Sequence, residues 1–114
     1  MKADILFKLA DLIKKRRSSN REDSYVKSLL EDGTKKINEK VFEEALELIE
    51  STATDFPGKE EKVIHEMADL WFHTMVLLEN EGLELEDVLS ELESRFGTSG
   101  HEEKSLREEN RQEN

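Results

Sequence analysis

Residues 34–81 read TKKINEKVFEEALELIESTATDFPGKEEKVIHEMADLWFHTMVLLENE, and this stretch decides the fold. Apolar residues recur at helical spacing in two long runs, and turn-forming residues separate the runs. The pattern predicts one helix over residues 34–53, a turn over residues 54–59 and a second helix over residues 60–81. Because the connection is short, we expect the two helices to form an antiparallel hairpin.

Four carboxylates face each other across this predicted hairpin. Residues equally far from the turn lie level, which pairs Glu47 with Glu66 and Glu44 with Asp69. Within each helix the two acids share a face and are separated by about 4.5 Å along the axis. Oxygen ligands at two levels suit a hard cation such as Mg²⁺, and the like charges would repel without one. The hairpin therefore predicts a magnesium site.

A solvated acidic helix surface is the alternative interpretation. The chain contains 28 Asp and Glu residues, so acids at helical spacing also arise by chance, as at Glu47 and Glu50. Glu50, however, lies level with the apolar Val63 in the predicted hairpin. The register across the turn, rather than the spacing alone, distinguishes the four candidate ligands.

Three shorter helices are predicted around the hairpin. Residues 5–13 carry an apolar stripe and run into a basic stretch, residues 14–21, which indicates a helix end and a loop. Ser24 is placed to cap a brief helix that ends at Gly33, Thr34 to cap the next helix, and residues 85–96 form the last helix. We expect an all-α bundle of about five helices around a central antiparallel hairpin, with residues 1–97 as the domain and residues 98–114 as a flexible polar tail.

The second hairpin helix predicts a partner subunit. It is apolar on almost every side over Leu70, Trp71, Phe72, Met75, Val76, Leu77 and Leu78. A helix of this kind must be covered on every side, and a chain of 114 residues buries only a modest core by itself. We therefore expect a homodimer or a larger assembly.

Composition excludes several classes of function. The net charge of −11 argues against nucleic acid as a partner, because such binding neutralises phosphates with Lys and Arg. There is no cysteine, no apolar run long enough for a membrane span and no signal-peptide pattern at the start, so a cytoplasmic location is expected. An acidic protein can hold a polyphosphate only with metal ions or a local basic patch.

Basic residues do adjoin the acids on the first hairpin helix. Lys35, Lys36 and Lys40 are either solubilising residues or phosphate contacts. His73 lies one turn beyond the four acids, level with Lys40. It is either a hydrogen-bonded histidine at the edge of the core or a functional group.

The acidic motifs resemble a known family. FEEALE at residues 42–47 and EMAD at residues 66–69 resemble the E-E-x-x-E and E-x-x-D signature of the all-α NTP pyrophosphohydrolases, the MazG-like superfamily. Over residues 4–107 the chain is more specifically similar to the phosphoribosyl-ATP pyrophosphohydrolases of histidine biosynthesis, with matching segments SY at 24–25, ADLWFH at 68–73 and EDVL at 86–89. One departure is Phe42, where the family usually has glycine.

The resemblance implies Mg²⁺-dependent hydrolysis of phosphoribosyl-ATP to phosphoribosyl-AMP and pyrophosphate, the second step of histidine biosynthesis. The implied metal ligands are Glu44, Glu47, Glu66 and Asp69. The implied catalytic residues are Glu43 and Glu47, with Glu43 positioning or deprotonating the attacking water. Lys36 and Lys40 are the implied contacts to the substrate phosphates.

Two other functions stay open at this point. A pyrophosphohydrolase of the same superfamily could instead act on free nucleoside triphosphates. A non-catalytic helical dimerisation module would need no metal at all. That last hypothesis predicts that the four acids remain solvated and that Mg²⁺ leaves the melting temperature unchanged.

Overall fold

The computed structural model describes residue 2, residues 4–19 and residues 24–96. Across these ranges it contains five helices and no strand, which confirms the predicted all-α class: α1 (Asp4–Arg17), α2 (Tyr25–Asp32), α3 (Thr34–Ser51), α4 (Lys59–Asn80) and α5 (Leu85–Phe96). Helices α1 to α4 belong to one compact unit that ends at Leu83, and α5 belongs to a second unit. The predicted tail, residues 98–114, lies outside the described residues, and a domain boundary at residue 97 stays a prediction.

The two ends of α2 confirm the sequence interpretation. Ser24 caps the helix, since its Oγ accepts a hydrogen bond from the backbone N–H of Lys27 at 3.2 Å. Gly33 ends it with a φ of 88°, and its N–H donates to the carbonyl of Leu29 at 3.0 Å. Thr34 does not cap α3 as predicted. It is the first residue of α3, and its Oγ1 accepts a hydrogen bond from Asn80 Nδ2 at 2.8 Å.

Helix α1 ends at Arg17, within the basic stretch that predicted a helix end and a loop, and basic residues in a last helical turn suit the helix dipole. The Arg17 guanidinium donates to Glu79 twice, from Nε to Oε1 at 3.2 Å and from Nη2 to the backbone carbonyl at 3.0 Å. This contact fixes the end of α1 against α4.

The first unit has a small core to which all four of its helices contribute. Helix α3 packs along α4, and α2 contacts α1, α3 and α4. The buried apolar side chains are Ile13, Val26, Leu29, Ile37, Met75 and Val76. The Tyr25 ring stacks on Phe72 with a centroid distance of 6.4 Å, and Phe72 meets His73 edge to face at 5.1 Å. This aromatic group joins the start of α2 to the middle of α4.

The apolar residues of α3 are only partly buried. Exposed apolar side chains remain on α3 at Phe42, Leu46 and Ile49, and on α4 at Ile64, Met67 and Trp71. Phe42, which replaces the glycine usual in the resembled family, is 72% exposed and has no positive φ. It therefore strains neither the helix nor the acidic face. No helix in the described ranges is long and apolar enough to cross a membrane.

In the second unit, α5 begins with half of a capping box. The backbone N–H of Glu84 donates to Asp87 Oδ2 at 2.9 Å. Asp87 therefore satisfies one of the amide groups that a helix start leaves without an intrahelical partner. This contact explains how α5 begins without a small polar residue at its first capping position.

Candidate active site

The predicted site residues fall into two groups, one on each hairpin helix. The α3 triad consists of Glu43, Glu44 and Glu47. The α4 triad consists of His65, Glu66 and Asp69. Within each triad, one potential ligand atom per residue lies within 4.8 Å of the others. The structure thus groups the acids within each helix, at the spacing that the sequence predicted.

Glu47 connects the two triads. The charge of Glu44 raises the pKa of the Glu47 carboxyl group above its ordinary value, and burial and the close approach of Glu66 add to this effect. Glu47 therefore interacts with an acid of its own helix and with an acid of α4. This contact agrees with the predicted level pair of Glu47 and Glu66.

Two of the predicted ligands are buried with unsatisfied oxygens. Glu44 is 6% exposed and Glu66 is 2% exposed. Oε2 of each side chain has no hydrogen-bond partner among the described residues. Burying a carboxylate oxygen without a partner is costly, because it gives up water and receives nothing in return. Such oxygens fit a divalent cation that prefers oxygen ligands.

Lys40 and Lys62 place positive charge beside the acids of the two triads. Lys40 Nζ lies 3.2 Å from Glu43 Oε2 and 3.6 Å from Glu44 Oε1. Lys62 Nζ lies 2.6 Å from Glu66 Oε1. Burial alone would lower the pKa of Lys40, but the hydrogen bond to Glu43 and the neighbouring acids raise it. The hydrogen bond from Lys62 lowers the pKa of Glu66, although burial acts in the opposite direction.

Asp69 and Lys36 are less closely engaged. One carboxylate oxygen of Asp69, Oδ2, lies 3.4 Å from His65 Nε2 on the same helix, and Asp69 is only half-buried. Lys36 is exposed on α3, one turn before Lys40. The structure therefore brings Lys40 into direct contact with the acids, whereas Lys36 is exposed on the same helix.

Sequence reasoning missed Lys62, His65 and Tyr25. Lys62 and His65 each lie four residues before an acid of α4, and this i, i+4 spacing was a usable signal. Tyr25 carried no such signal, because it reaches His73 across 48 positions of the chain. Its hydroxyl lies 2.9 Å from His73 Nε2, while His73 Nδ1 lies 2.8 Å from the Asp69 carbonyl oxygen. The interpretation of His73 as a hydrogen-bonded histidine at the core edge is confirmed.

Comparison with known proteins identifies the family. A family model described as phosphoribosyl-ATP pyrophosphohydrolase matches residues 6–96. The phosphoribosyl-ATP pyrophosphatase of Hydrogenovibrio crunogenus is 43% identical over 111 residues, which cover 96% of this chain and 98% of that protein. The protein of the same name from Nitrosospira multiformis is 46% identical over 104 residues, 91% of this chain and 84% of that protein. The corresponding Methylococcus capsulatus protein is 44% identical over 104 residues, 91% of this chain and 96% of that protein. These matches span nearly the whole chain and include both acidic motifs, so the chain belongs to the phosphoribosyl-ATP pyrophosphohydrolase family.

Proposed function

We propose that this protein hydrolyses phosphoribosyl-ATP to phosphoribosyl-AMP and pyrophosphate, as the names of its relatives indicate for those proteins. The observation that carries the proposal is the pair of buried, unsatisfied carboxylate oxygens on Glu44 and Glu66. A non-catalytic dimerisation module would keep these acids in solvent. The burial of Glu44 and Glu66 therefore favours a metal-dependent enzyme over that alternative.

Mg²⁺ is the proposed cofactor, and its proposed ligands are Glu44, Glu47, Glu66 and Asp69. The donor set is dominated by carboxylate oxygens, as Mg²⁺ requires. When bound, the ion would screen the triphosphate, polarise the phosphoryl oxygen and lower the pKa of a coordinated water. With a net charge of −11, such a cation would offset the repulsion of an anionic substrate.

The remaining groups of the α3 triad have separate roles in the proposal. A water oxygen attacks the α-phosphorus, the bond between the α-phosphorus and the bridging oxygen breaks, and pyrophosphate leaves. Lys40 Nζ donates a hydrogen bond to Oε2 of Glu43. The other carboxylate oxygen of Glu43, Oε1, would therefore position the water and accept its proton. Lys40 and Lys36 stabilise the departing pyrophosphate as positive point charges.

The proposal extends to the arrangement of helices and subunits. A central antiparallel hairpin of α3 and α4 is supported by the contact of Glu47 with Glu66 near the turn and by the Asn80–Thr34 hydrogen bond at the far end. A homodimer is supported by the exposed apolar surface, which we define as Phe42, Leu46 and Ile49 of α3 with Ile64, Met67 and Trp71 of α4. A second copy of the chain would cover this surface. A cytoplasmic location completes the proposal.

Hydrolysis of free nucleoside triphosphates is the competing activity within the same superfamily. Pyrophosphate release should be measured with phosphoribosyl-ATP and with the common nucleoside triphosphates, each with Mg²⁺ and with excess chelator. The proposal expects turnover of phosphoribosyl-ATP only when Mg²⁺ is present. Equal or faster turnover of free triphosphates would instead favour the competing activity.

A further inference from the structure

His65 belongs to the α4 triad, but the four carboxylate ligands of the proposed Mg²⁺ site give it no role. Its Nε2 atom lies 3.4 Å from Asp69 Oδ2. A well-formed hydrogen bond between nitrogen and oxygen measures about 2.7–3.2 Å, so this contact is long for one. The side chain of His65 is 67% exposed, and an ion pair at the surface contributes little to the free energy of unfolding. Stability is therefore a weak explanation of the pair.

The spacing of His65 and Asp69 suits two ligands of one metal ion. Residues four apart on a helix share a face, and metal-binding helices use this i, i+4 spacing to place two ligands side by side. Two ligand atoms, each about 2.1 Å from a transition-metal ion, lie roughly 3.0 Å apart in octahedral geometry and roughly 3.4 Å apart in tetrahedral geometry. The observed 3.4 Å between Nε2 and Oδ2 agrees with these separations.

Glu66 provides independent evidence for a cation beside this pair. Glu66 is 2% exposed, and its Oε2 has no hydrogen-bond partner among the described residues, while Lys62 contacts the other oxygen, Oε1. The cost of burying such an oxygen is offset when the carboxylate binds a cation. One ligand atom from each of His65, Glu66 and Asp69 lies within 4.8 Å of the others. The α4 triad can therefore offer one nitrogen and two oxygens to a single ion.

The nitrogen ligand decides which ions suit the triad. Mg²⁺ is a hard ion that prefers oxygen ligands and keeps several waters, so an imidazole adds little to its binding. An imidazole nitrogen suits the later first-row transition metals, whose affinity for a given site rises from Mn²⁺ through Co²⁺ to Ni²⁺. His73, the other histidine in the described part of the chain, has both ring nitrogens engaged by protein partners. His65 is therefore the described histidine placed to change the choice of ion.

We propose that His65, Glu66 and Asp69 bind a divalent transition-metal ion, with His65 Nε2 as the ligand that makes the site prefer such an ion to Mg²⁺. This inference rests on the proposed function, because Glu66 and Asp69 are also proposed ligands of Mg²⁺ and the two kinds of ion compete for them. Three protein ligands leave coordination positions for water and for a phosphate oxygen of the substrate. A transition-metal ion, when bound, supplies the same polarisation of a phosphoryl oxygen as Mg²⁺.

Calorimetric titrations of the full chain with Co²⁺ and with Mg²⁺ test this selectivity without reference to turnover. They are done at pH 8, because an imidazole binds a metal only in its neutral form. His65→Ala should lower the affinity for Co²⁺ at least about tenfold and the affinity for Mg²⁺ less than about twofold. If the substitution leaves the ratio of the two affinities unchanged, or if the wild-type protein does not bind Co²⁺, the inference is overturned.

His101→Ala is the matched control, because it removes the third histidine of the chain, which lies outside the described residues. It should leave both affinities unchanged. Loss of Co²⁺ binding in this variant, in place of the His65 variant, would show an adventitious ion only. Asp69→Asn should weaken the binding of both ions, since both use its carboxylate. The melting temperature of each metal-free variant, measured alongside, shows whether it is folded.

Pyrophosphate release separates this inference from the proposed function. If the protein binds Co²⁺ through His65 but releases no pyrophosphate from phosphoribosyl-ATP with either ion, the proposed function is wrong and the metal selectivity stands. If the protein hydrolyses phosphoribosyl-ATP with Mg²⁺ while His65→Ala leaves the ratio of affinities unchanged, only this inference is wrong.

Discussion

At the scale of single residues, Glu47 is the group on which the proposed chemistry depends most. Glu47 belongs to the α3 triad and also interacts with Glu66 of the α4 triad. The largest cause of its raised pKa is the charge of Glu44. Glu47→Gln should lower pyrophosphate release by at least about a hundredfold, since a ligand and a catalytic group are lost together. The melting temperature of the metal-free protein should stay the same or rise, because a repulsion is removed. Stabilisation by Mg²⁺ should disappear, because a cation that binds only the folded state is no longer held.

Glu50→Gln is the control for this change. Glu50 is an exposed glutamate one turn further along α3 and lies outside both triads. It should change stability by no more than about ±0.5 kcal/mol and leave turnover intact. If the Glu47 and Glu50 variants behave alike, neither the metal site nor the assignment of catalytic residues stands.

The raised pKa of Glu47 also predicts the pH dependence of its effect on stability. An acid whose pKa is raised in the folded state destabilises the fold as pH rises above the ordinary value of 4.5, and the loss is complete above the raised pKa. In the metal-free protein, Glu47→Gln should therefore raise the melting temperature near pH 8 and have almost no effect near pH 4. Thermal melts in chelator at several pH values measure this difference, and a gain confined to low pH would contradict it.

Lys62 should behave as a substitute for the metal. Its ammonium group lies 2.6 Å from a buried carboxylate oxygen of Glu66, so Lys62→Met leaves that charge without compensation. We expect the melting temperature of the metal-free variant to fall by about 5 °C and its increase on adding Mg²⁺ to become larger than in the wild type. Differential scanning calorimetry with and without Mg²⁺ measures both quantities.

Lys59→Met is the matched control for Lys62. Lys59 also pairs with an acid four positions away, but that acid, Asp55, precedes it in the turn, and the Asp55 side chain is 99% exposed. Exposed ion pairs contribute little, so both the melting temperature and its response to Mg²⁺ should stay close to wild type. If the two variants have the same melting temperature and the same response to Mg²⁺, Lys62 does not substitute for the metal.

At the scale of helices, the sequence was most informative where local chemistry decides the structure. Ser24 and Gly33 bound α2 because a hydroxyl cap and a positive φ are local requirements. The apolar period of residues 34–81 likewise predicted α3 and α4 to within a few residues. The basic stretch predicted where α1 ends, but the contact of Arg17 with Glu79, 62 positions away, cannot be read from local spacing.

The candidate site likewise combines features that local spacing predicts with features that only tertiary packing decides. Spacing and register located Glu44 and Glu47 of the α3 triad and Glu66 and Asp69 of the α4 triad, whereas Glu43 came from the family resemblance. Tertiary packing decided the rest, since it buries Glu44 and brings Tyr25 to His73. Helical periodicity indicates which residues share a face, but not how deeply another helix covers that face.

Replacing glycine by alanine should cost more stability in the connection between α2 and α3 than in the turn between α3 and α4. Gly33 has φ 88° and ψ −170°, a region that only glycine adopts readily, whereas Gly58 before α4 has φ 85° and ψ 7° in the left-handed region. No atom lies closer than 4.0 Å to an added Cβ at either position, so strain alone sets the cost. Gly33→Ala should destabilise by about 1–3 kcal/mol, and Gly58→Ala by about 1 kcal/mol. Urea unfolding compares them, and the reverse order would show that something other than backbone strain dominates.

At the scale of the whole molecule, the exposed apolar surface leads to an expectation of assembly. A chain with a net charge of −11 keeps a row of large apolar side chains exposed on the two helices that also carry both triads. Exposed apolar surface of this kind indicates an interface rather than a solvent face. If a second copy covers it, residues of the partner subunit would border the site.

Ile64 and Ile5 offer a matched test of this assembly, because they are the same residue type at nearly the same exposure, 69% and 63%, on different helices. Ile64 belongs to the proposed interface on α4, whereas Ile5 lies on α1 outside it. Ile64→Glu would place a charge in a desolvated contact and should weaken dimerisation at least tenfold, a change of about 1.4 kcal/mol. Ile5→Glu should leave the dimer intact. Sedimentation over a range of micromolar concentrations measures both, and pyrophosphate release should fall with the fraction of dimer if the partner borders the site. A wild-type protein that is monomeric at these concentrations would contradict the assembly, because dimerisation is then not what covers the apolar surface of α3 and α4.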